Sequence, residues 1–177
     1  MCTNGKSLCI WFTGLPCSGK TTLAKALEKF LLSEGFKTKL YDGDEVRKSI
    51  SRDLGFSKED RIENIKRVAI LALEDVKQGY IVLVALVSPY REIRESVKKM
   101  FGKDKFIEVF ADAPLEICEQ RDVKGLYKKA RAGEIKNFTG IDDPYEPPLN
   151  PDVHLRTDLL TKEECLNKLI NFIREKL

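Results

Sequence analysis

The sequence predicts an α/β domain of three layers, a parallel sheet of about five strands flanked by helices. Three observations carry that prediction. Short apolar runs rich in β-branched and aromatic residues alternate with longer amphipathic segments along the whole chain, the rhythm of strand–helix–strand units. The run "YIVLVALV" (80–87) is apolar throughout, as expected of a strand covered on both faces. A glycine-rich turn, "GLPCSGKT", links the first apolar run to the first amphipathic segment. At 177 residues the chain reads as a single domain, 1–177, large enough to bury a full core.

The elements follow in order. "LCIWFT" (8–13) is the first strand, and 20–34 the first helix. "TKLYD" (38–42) is the second strand, and a helix over 57–78 opens at "SKED", where Ser57 and Asp60 have the spacing of a capping box. The apolar run 80–87 is followed by a helix over 89–101, "FIEVFA" (106–111) by a helix over 114–121, and "DVHLRT" (152–157) by the last helix, 161–175. Segment 122–151 breaks the rhythm with three glycines, five early lysines and arginines, and a proline-rich exit. Long connections in compact domains are functional or disordered. The basic residues and aromatics here predict a mobile lid, about 122–148, that closes over an anion rather than a plain surface loop.

Composition excludes several functions. A net charge of +3 gives no global field for nucleic acid or a membrane surface, so any anion site must be local. The five cysteines (Cys2, Cys9, Cys17, Cys118, Cys165) form no CxxC pair, and the opening apolar run is too short for a secretory or membrane segment. Reduced thiols in a cytoplasmic protein are expected. The one histidine, His154, has no cysteine cluster beside it, which argues against structural zinc. It reads as an ordinary residue near a strand.

The chemistry starts at the glycine-rich turn. Gly14, Leu15, Pro16, Cys17, Ser18, Gly19, Lys20 and Thr21 match G-x-x-x-x-G-K-[ST], the P-loop, between a predicted strand and a predicted helix. Its curled backbone points N–H groups inward, and with the positive end of the helix they bind the β- and γ-phosphates of a nucleotide. Lys20 adds a cation near the transferred phosphoryl, and the Thr21 hydroxyl is suited to Mg²⁺. A regulatory GTPase would need an NKxD-type segment, and the nearest match, "NKLI" (167–170), lacks the aspartate. The apolar strand 80–87 ends in "SP", with no acid at its tip to meet a metal. The acids stand instead in "KLYDGDEVRKSI" (39–50): Asp42 and Asp44 flank a glycine at the end of the second strand, and Arg47 follows. That edge of an open α/β sheet binds ligands. A carboxylate there serves to take a hydroxyl proton or to hold Mg²⁺, whereas helix capping would use one acid and leave the other without a role.

With these residues in view, the chain resembles the adenylylsulfate kinase (APS kinase) family over nearly all its length. The resemblance rests on "TGLPCSGKTTLA", "DGDEVR", "DLGFSKEDRIENI", "SPYR", "EVFADAPLEICEQRDVKGLYKKARAGEIKNFTGIDDPYEPP" and "RTD", in the family's order. It implies a kinase that uses ATP and Mg²⁺ to phosphorylate the 3′-hydroxyl of adenosine 5′-phosphosulfate (APS), giving 3′-phosphoadenylyl sulfate and ADP. Residue by residue, it implies that Asp44 stands nearest that hydroxyl, with Asp42 supporting it or the metal. Arg47, Arg61 and Asn64 would grip the phosphosulfate and orient the nucleotide. Phe56 and Phe138 would sandwich the substrate adenine. Lys124 would reach the substrate from the lid, Arg121 would lie against the ATP base, and the cradle would extend to Thr22. Ser88 of "SPYR" is the position described in the family as a phosphoserine intermediate. Aromatic faces suit purines and arginines suit oxyanions. The chain departs at Glu45, where asparagine is common, and at Asn137, where glycine is common. The resemblance also implies a homodimer and APS supplied by a separate ATP sulfurylase, since the chain has no room for a fused one. The rivals are a P-loop kinase for a nucleoside monophosphate or a sugar acid, and a non-catalytic nucleotide-binding protein. A sugar-acid kinase has no purine for Phe56 and Phe138 to hold, and a non-catalytic protein has no use for Lys20, Thr21 and Asp44 together.

Overall fold

A computed structural model describes residues 6–177, so Cys2 and most of the opening segment lie outside it. Five parallel strands form one sheet in the order β2-β3-β1-β4-β5. They are β1 (Cys9–Thr13), β2 (Thr38–Asp42), β3 (Ile81–Ala85), β4 (Phe106–Asp112) and β5 (Val153–Arg156). β1 lies at the centre, paired with β3 on one side and β4 on the other. The chain order reverses beside it, which opens a crevice at the carboxyl ends of these strands.

Each strand divides its side chains between two cores. Ile10, Phe12, Leu83, Ala85, Ile107, Val109 and Leu155 pack under α1 (Lys20–Ser33) and α7 (Lys162–Arg174). Cys9, Trp11, Val82, Val84 and Phe106 pack under α3 (Lys58–Lys77) and α4 (Arg91–Phe101). The alternation of one pleat with period two therefore makes the three layers. Leu23, Leu27 and Leu31 of α1 are fully buried, one stripe at four-residue spacing.

Several boundaries differ from the sequence expectation. β3 stops at Ala85 rather than at residue 87, because the amide of Gly14 and the hydroxyl of Thr13 both donate to the Val87 carbonyl and draw the chain out of the sheet. Only half of the expected capping box forms at α3. Ser57 accepts from the Asp60 amide at 3.1 Å, but the Asp60 carboxylate turns to the Gly55 amide at 2.9 Å. The complete box is at Thr161 and Glu164, opening α7. Two short helices were not foreseen: α2 (Gly43–Lys48) just after β2, and α6 (Leu126–Arg131) within the expected lid. Between them in the chain lies α5 (Leu115–Arg121). His154 lies on β5, stacked on Phe110 with its Nε2 2.7 Å from Asp112. Among the described residues no helix is long and apolar enough to cross a membrane.

The tightest packing in the sheet crevice is at Gly14. A Cβ there would lie 2.3 Å from the Ala111 carbonyl oxygen and 2.6 Å from Ser18 Oγ. Gly14→Ala must push β4 away from the loop, an overpacking cost of ~2 kcal/mol. At about 2–4 °C per kcal/mol for a domain of this size, Tm should fall by roughly 4–8 °C, with ATP binding lost. A thermal melt and an ATP titration test this; native values for both would contradict it.

Candidate active site

The loop between β1 and α1 is built for a polyanion. Gly19 stands before α1 with φ 99°, and no side chain caps the helix, whereas Ser57 and Thr161 cap α3 and α7. The first N–H groups of α1 are thus left to a ligand, at the positive end of the helix dipole. Lys20 Nζ is buried and donates to the carbonyls of Gly14 (2.9 Å) and Leu15 (2.7 Å). Burial lowers its pKa to about 8.

A cavity of about 460 Å³ opens beside this loop, lined by Cys17, Lys20, Thr21, Thr22, Arg121 and Thr157 among others. Arg121 is held rigidly, donating to the Thr157 carbonyl at 2.7 Å and the Cys17 carbonyl at 3.3 Å. Thr157 in turn donates to the Ser18 carbonyl at 2.7 Å, tying the end of β5 to the cradle. Thr157, with Val123 and Leu160 of the same cavity, was not singled out from the sequence. The "RTD" string was its one signal, but only the folded sheet brings residue 157 to residue 18.

Asp42 is the last residue of β2 and occupies the cap position of α2, yet its side chain makes no cap bond. Its Oδ1 accepts from the Thr21 hydroxyl at 2.5 Å. A hydroxyl and a carboxylate side by side are hard oxygen donors, and Mg²⁺ typically takes only one or two such protein ligands. The pair fits that ion. Among the described residues no cluster of three or more His, Cys, Asp or Glu side chains suits a metal.

A second cavity, about 480 Å³, lies under α2 and α3, lined by Asp44, Arg47, Phe56, Arg61, Asn64, Ser88 and Phe138 among others. The structure thus brings together Asp44 and Phe138, 94 positions apart in the chain. The Arg47 and Arg61 guanidiniums stand over the Phe56 ring, 4.6 and 5.6 Å from its centroid. Burial, and next the neighbouring Arg61 cation, lower the Arg47 pKa. Two cations crowded together in a half-buried site call for an anion. Phe138 packs edge-on against Tyr127 at 4.9 Å. Lys124 reaches across from segment 122–148 to contact the Asp44 carboxylate. The segment also docks on the cradle: Tyr127 is buried and its hydroxyl donates to the Pro16 carbonyl at 2.7 Å.

Ser88 lines the same cavity but is turned inward. Its Oγ accepts from the Trp11 indole at 2.9 Å and donates to the Leu86 carbonyl at 3.3 Å. The two unusual positions are accommodated. Glu45 is exposed and pairs with Lys48 at 3.5 Å, outside the cavity lining. Asn137 has φ 55°, a left-handed conformation that asparagine tolerates better than other side chains, so it replaces a glycine with little strain.

Fold and site together define a P-loop phosphotransferase with a second cavity next to the cradle. Residues 6–156 match the family model described as "Adenylylsulphate kinase", and the chain belongs to that family. The adenylyl-sulfate kinase of Microcystis aeruginosa is 54% identical over 170 residues, covering 96% of this chain and 93% of its own. The solved structure of the Mycobacterium tuberculosis APS kinase in complex with AMPPNP and APS superposes with a TM-score of 0.88 at 44% identity, covering 96% of this chain and 98% of that one. A gluconokinase from Sinorhizobium meliloti, covering 95% of this chain and 92% of its own, shares the fold alone, with a TM-score of 0.61 at 13% identity.

The buried lysine makes a titration test. Phosphate restores the charged form of Lys20, so ATP binding near pH 8.5 should take up a proton, and affinity should fall as pH rises through about 8. In the free protein the linkage has the opposite sign. Between about 8 and the ordinary 10.5 the unfolded chain holds a proton that folded Lys20 has lost, so its contribution to stability rises with pH. Calorimetric ATP titrations at pH 8.5 in two buffers of different ionisation enthalpy measure the uptake. Equal heats in both would refute it.

Proposed function

We propose that this chain transfers the γ-phosphoryl group of ATP to the 3′-hydroxyl of adenosine 5′-phosphosulfate, giving 3′-phosphoadenylyl sulfate and ADP. The observation that carries the reading is the acceptor cavity, which sets two arginines, two phenylalanines and the Asp44 carboxylate, paired only with the exposed Lys124, next to the cradle. Arginines match a phosphosulfate, aromatic faces match an adenine, and a sugar acid offers nothing for Phe56 and Phe138.

The roles follow from position. ATP lies with its phosphates in residues 14–21, its base toward Arg121. Lys20 exchanges the loop carbonyls for the γ-phosphoryl oxygens and stabilises the charge that develops there. Thr21 and Asp42 would hold Mg²⁺, which supplies charge neutralisation on the phosphates. Arg47, Arg61 and Asn64 hold the phosphosulfate, and the adenine lies between Phe56 and Phe138. Asp44 accepts the proton of the 3′-hydroxyl as that oxygen attacks in line. Lys124, which contacts Asp44, moves to the substrate when APS enters, leaving the carboxylate free to act. Direct transfer needs positioning and charge stabilisation rather than a covalent intermediate. Ser88, whose hydroxyl is engaged by Trp11 and Leu86, shapes the cavity wall. The same reading makes the protein a cytoplasmic homodimer served by a separate ATP sulfurylase, with 122–148 as its mobile lid.

Asp44→Asn keeps the side chain's shape and removes its basicity, so kcat should fall by roughly two to four orders of magnitude. ATP affinity should change little, because the cradle is untouched. Coupled ADP release with APS, and with its analogue lacking the 3′-hydroxyl, checks both points. Phosphorylation of that analogue, or native turnover by Asp44→Asn, would exclude this acceptor.

The lid reading has its own test. AMPPNP and APS together should protect the segment from trypsin at Lys128 and Arg131, which are exposed. Cleavage that ignores both ligands would make the segment an ordinary connection.

A further inference from the structure

Arg94, on α4, is 2% exposed and lines neither of the two cavities. Burying a guanidinium is costly unless its donors and its charge are met. Its Nη1 donates to the Ser88 carbonyl at 2.6 Å, and its Nη2 to the Glu146 carbonyl. Its Nε stands 3.6 Å from the buried carboxylate of Glu108 on β4, close enough to balance charge but without a hydrogen bond. The face of the guanidinium lies over the Tyr145 ring, 5.7 Å from its centroid.

The two carbonyls belong to segments that matter to the acceptor side. Val87, Ser88 and Pro89 form part of the wall of the 480 Å³ cavity. Ser88 has φ 49°, a conformation that costs a non-glycine residue energy and persists only when its surroundings impose it. Trp11 holds its side chain, and Arg94 holds its carbonyl. Residues 145–147 are the exit of the lid segment. They are fastened to the same wall by Glu146 N–H to the Pro89 carbonyl at 2.8 Å and by the Glu146 carboxylate on the Arg91 amide at 3.0 Å. Asp143, just before, accepts from the Tyr90 hydroxyl at 2.9 Å and stands 3.7 Å from Arg61 Nε. One buried side chain therefore spans the cavity wall and the strap that carries a counter-charge to the phosphosulfate grip.

We propose that Arg94 is a positioning residue for the acceptor: by bridging Ser88 and Glu146 it sets the wall at 87–89 and, through the strap, the orientation of Arg61. The inference rests on the assignment of this cavity to APS. Lysine offers a single ammonium and lacks the planar fork that reaches two separate carbonyls, so charge alone does not replace it.

Steady-state kinetics with each substrate varied in turn separate this role from general stability. Arg94→Met should raise KM for APS at least about ten-fold and leave KM for ATP within about two-fold. Arg94→Lys keeps the buried charge but not the fork, so it should lower Tm less than Arg94→Met and still show a raised KM for APS. The double variant Arg94→Met, Glu108→Gln removes the uncompensated buried charge. It should recover Tm toward the native value without recovering KM for APS. A native KM for APS in the double variant, or KM values for ATP and APS that rise in parallel, would overturn the proposal. Phe56→Ala, run alongside, touches the cavity only: a raised KM for APS in that variant supports the cavity assignment, and an unchanged one overturns the assignment and the role of Arg94 with it.

Discussion

The start of α1 is the constraint to which the rest of the structure answers. A helix N-terminus leaves several amides without intrahelical partners, and the protein gives α1 no capping side chain. Making those amides available to phosphate requires a loop that approaches β4 so closely that Gly14 admits no Cβ. It also requires a lysine buried deeply enough to be depressed toward neutrality. Burying the lysine costs stability, and a bound polyphosphate offsets that cost by restoring its charge, so the site is preorganised for its ligand rather than for the empty fold. Thr157 and Tyr127 brace the loop through the Ser18 and Pro16 carbonyls.

The same economy governs the second cavity. Among the described residues, the non-glycine positions with positive φ are Cys17, Ser88 and Asn137. The first lines the 460 Å³ cavity beside the cradle and the other two line the 480 Å³ cavity. Backbone strain of about 1–2 kcal/mol per residue is thus confined to the site and supported by bonds from outside it: Trp11 and Arg94 at Ser88, and Asp142 at Asn137, whose amide donates to it at 2.7 Å. The two cores have no such positions. Regular layers carry the stability, and irregular segments at their carboxyl edge carry the chemistry.

Charge is distributed by the same logic. Arg47 and Arg61 share one cavity and partly repel, a cost relieved by an oxyanion. Asp44 and Lys124 neutralise each other at a partly exposed position, where an ion pair is weak and easily exchanged. Arg94 and Glu108 are buried, where a pair is rigid and hard to break. Exposure therefore decides which ion pair is available to change and which one holds geometry.

The sequence by itself determined the layers, the parallel sheet and the cradle. Period-two and four-residue apolar spacing act locally, and the P-loop pattern needs only the strand and helix on either side of it. Asp42, Asp44 and Arg47 were legible too, because they follow the second strand directly. That Phe56, Arg61, Asn64 and Phe138 share one cavity, with Lys124 on Asp44 beside them, was suggested only through resemblance, since no local pattern joins position 56 to position 138. The short helices α2 and α6 escaped because six residues give too few turns for a periodicity. Thr157 and Arg94 escaped for a different reason. Their roles lie in bonds to Ser18 and to Glu146, partners 139 and 52 residues distant, and such bonds exist only once the sheet has brought its strand ends together.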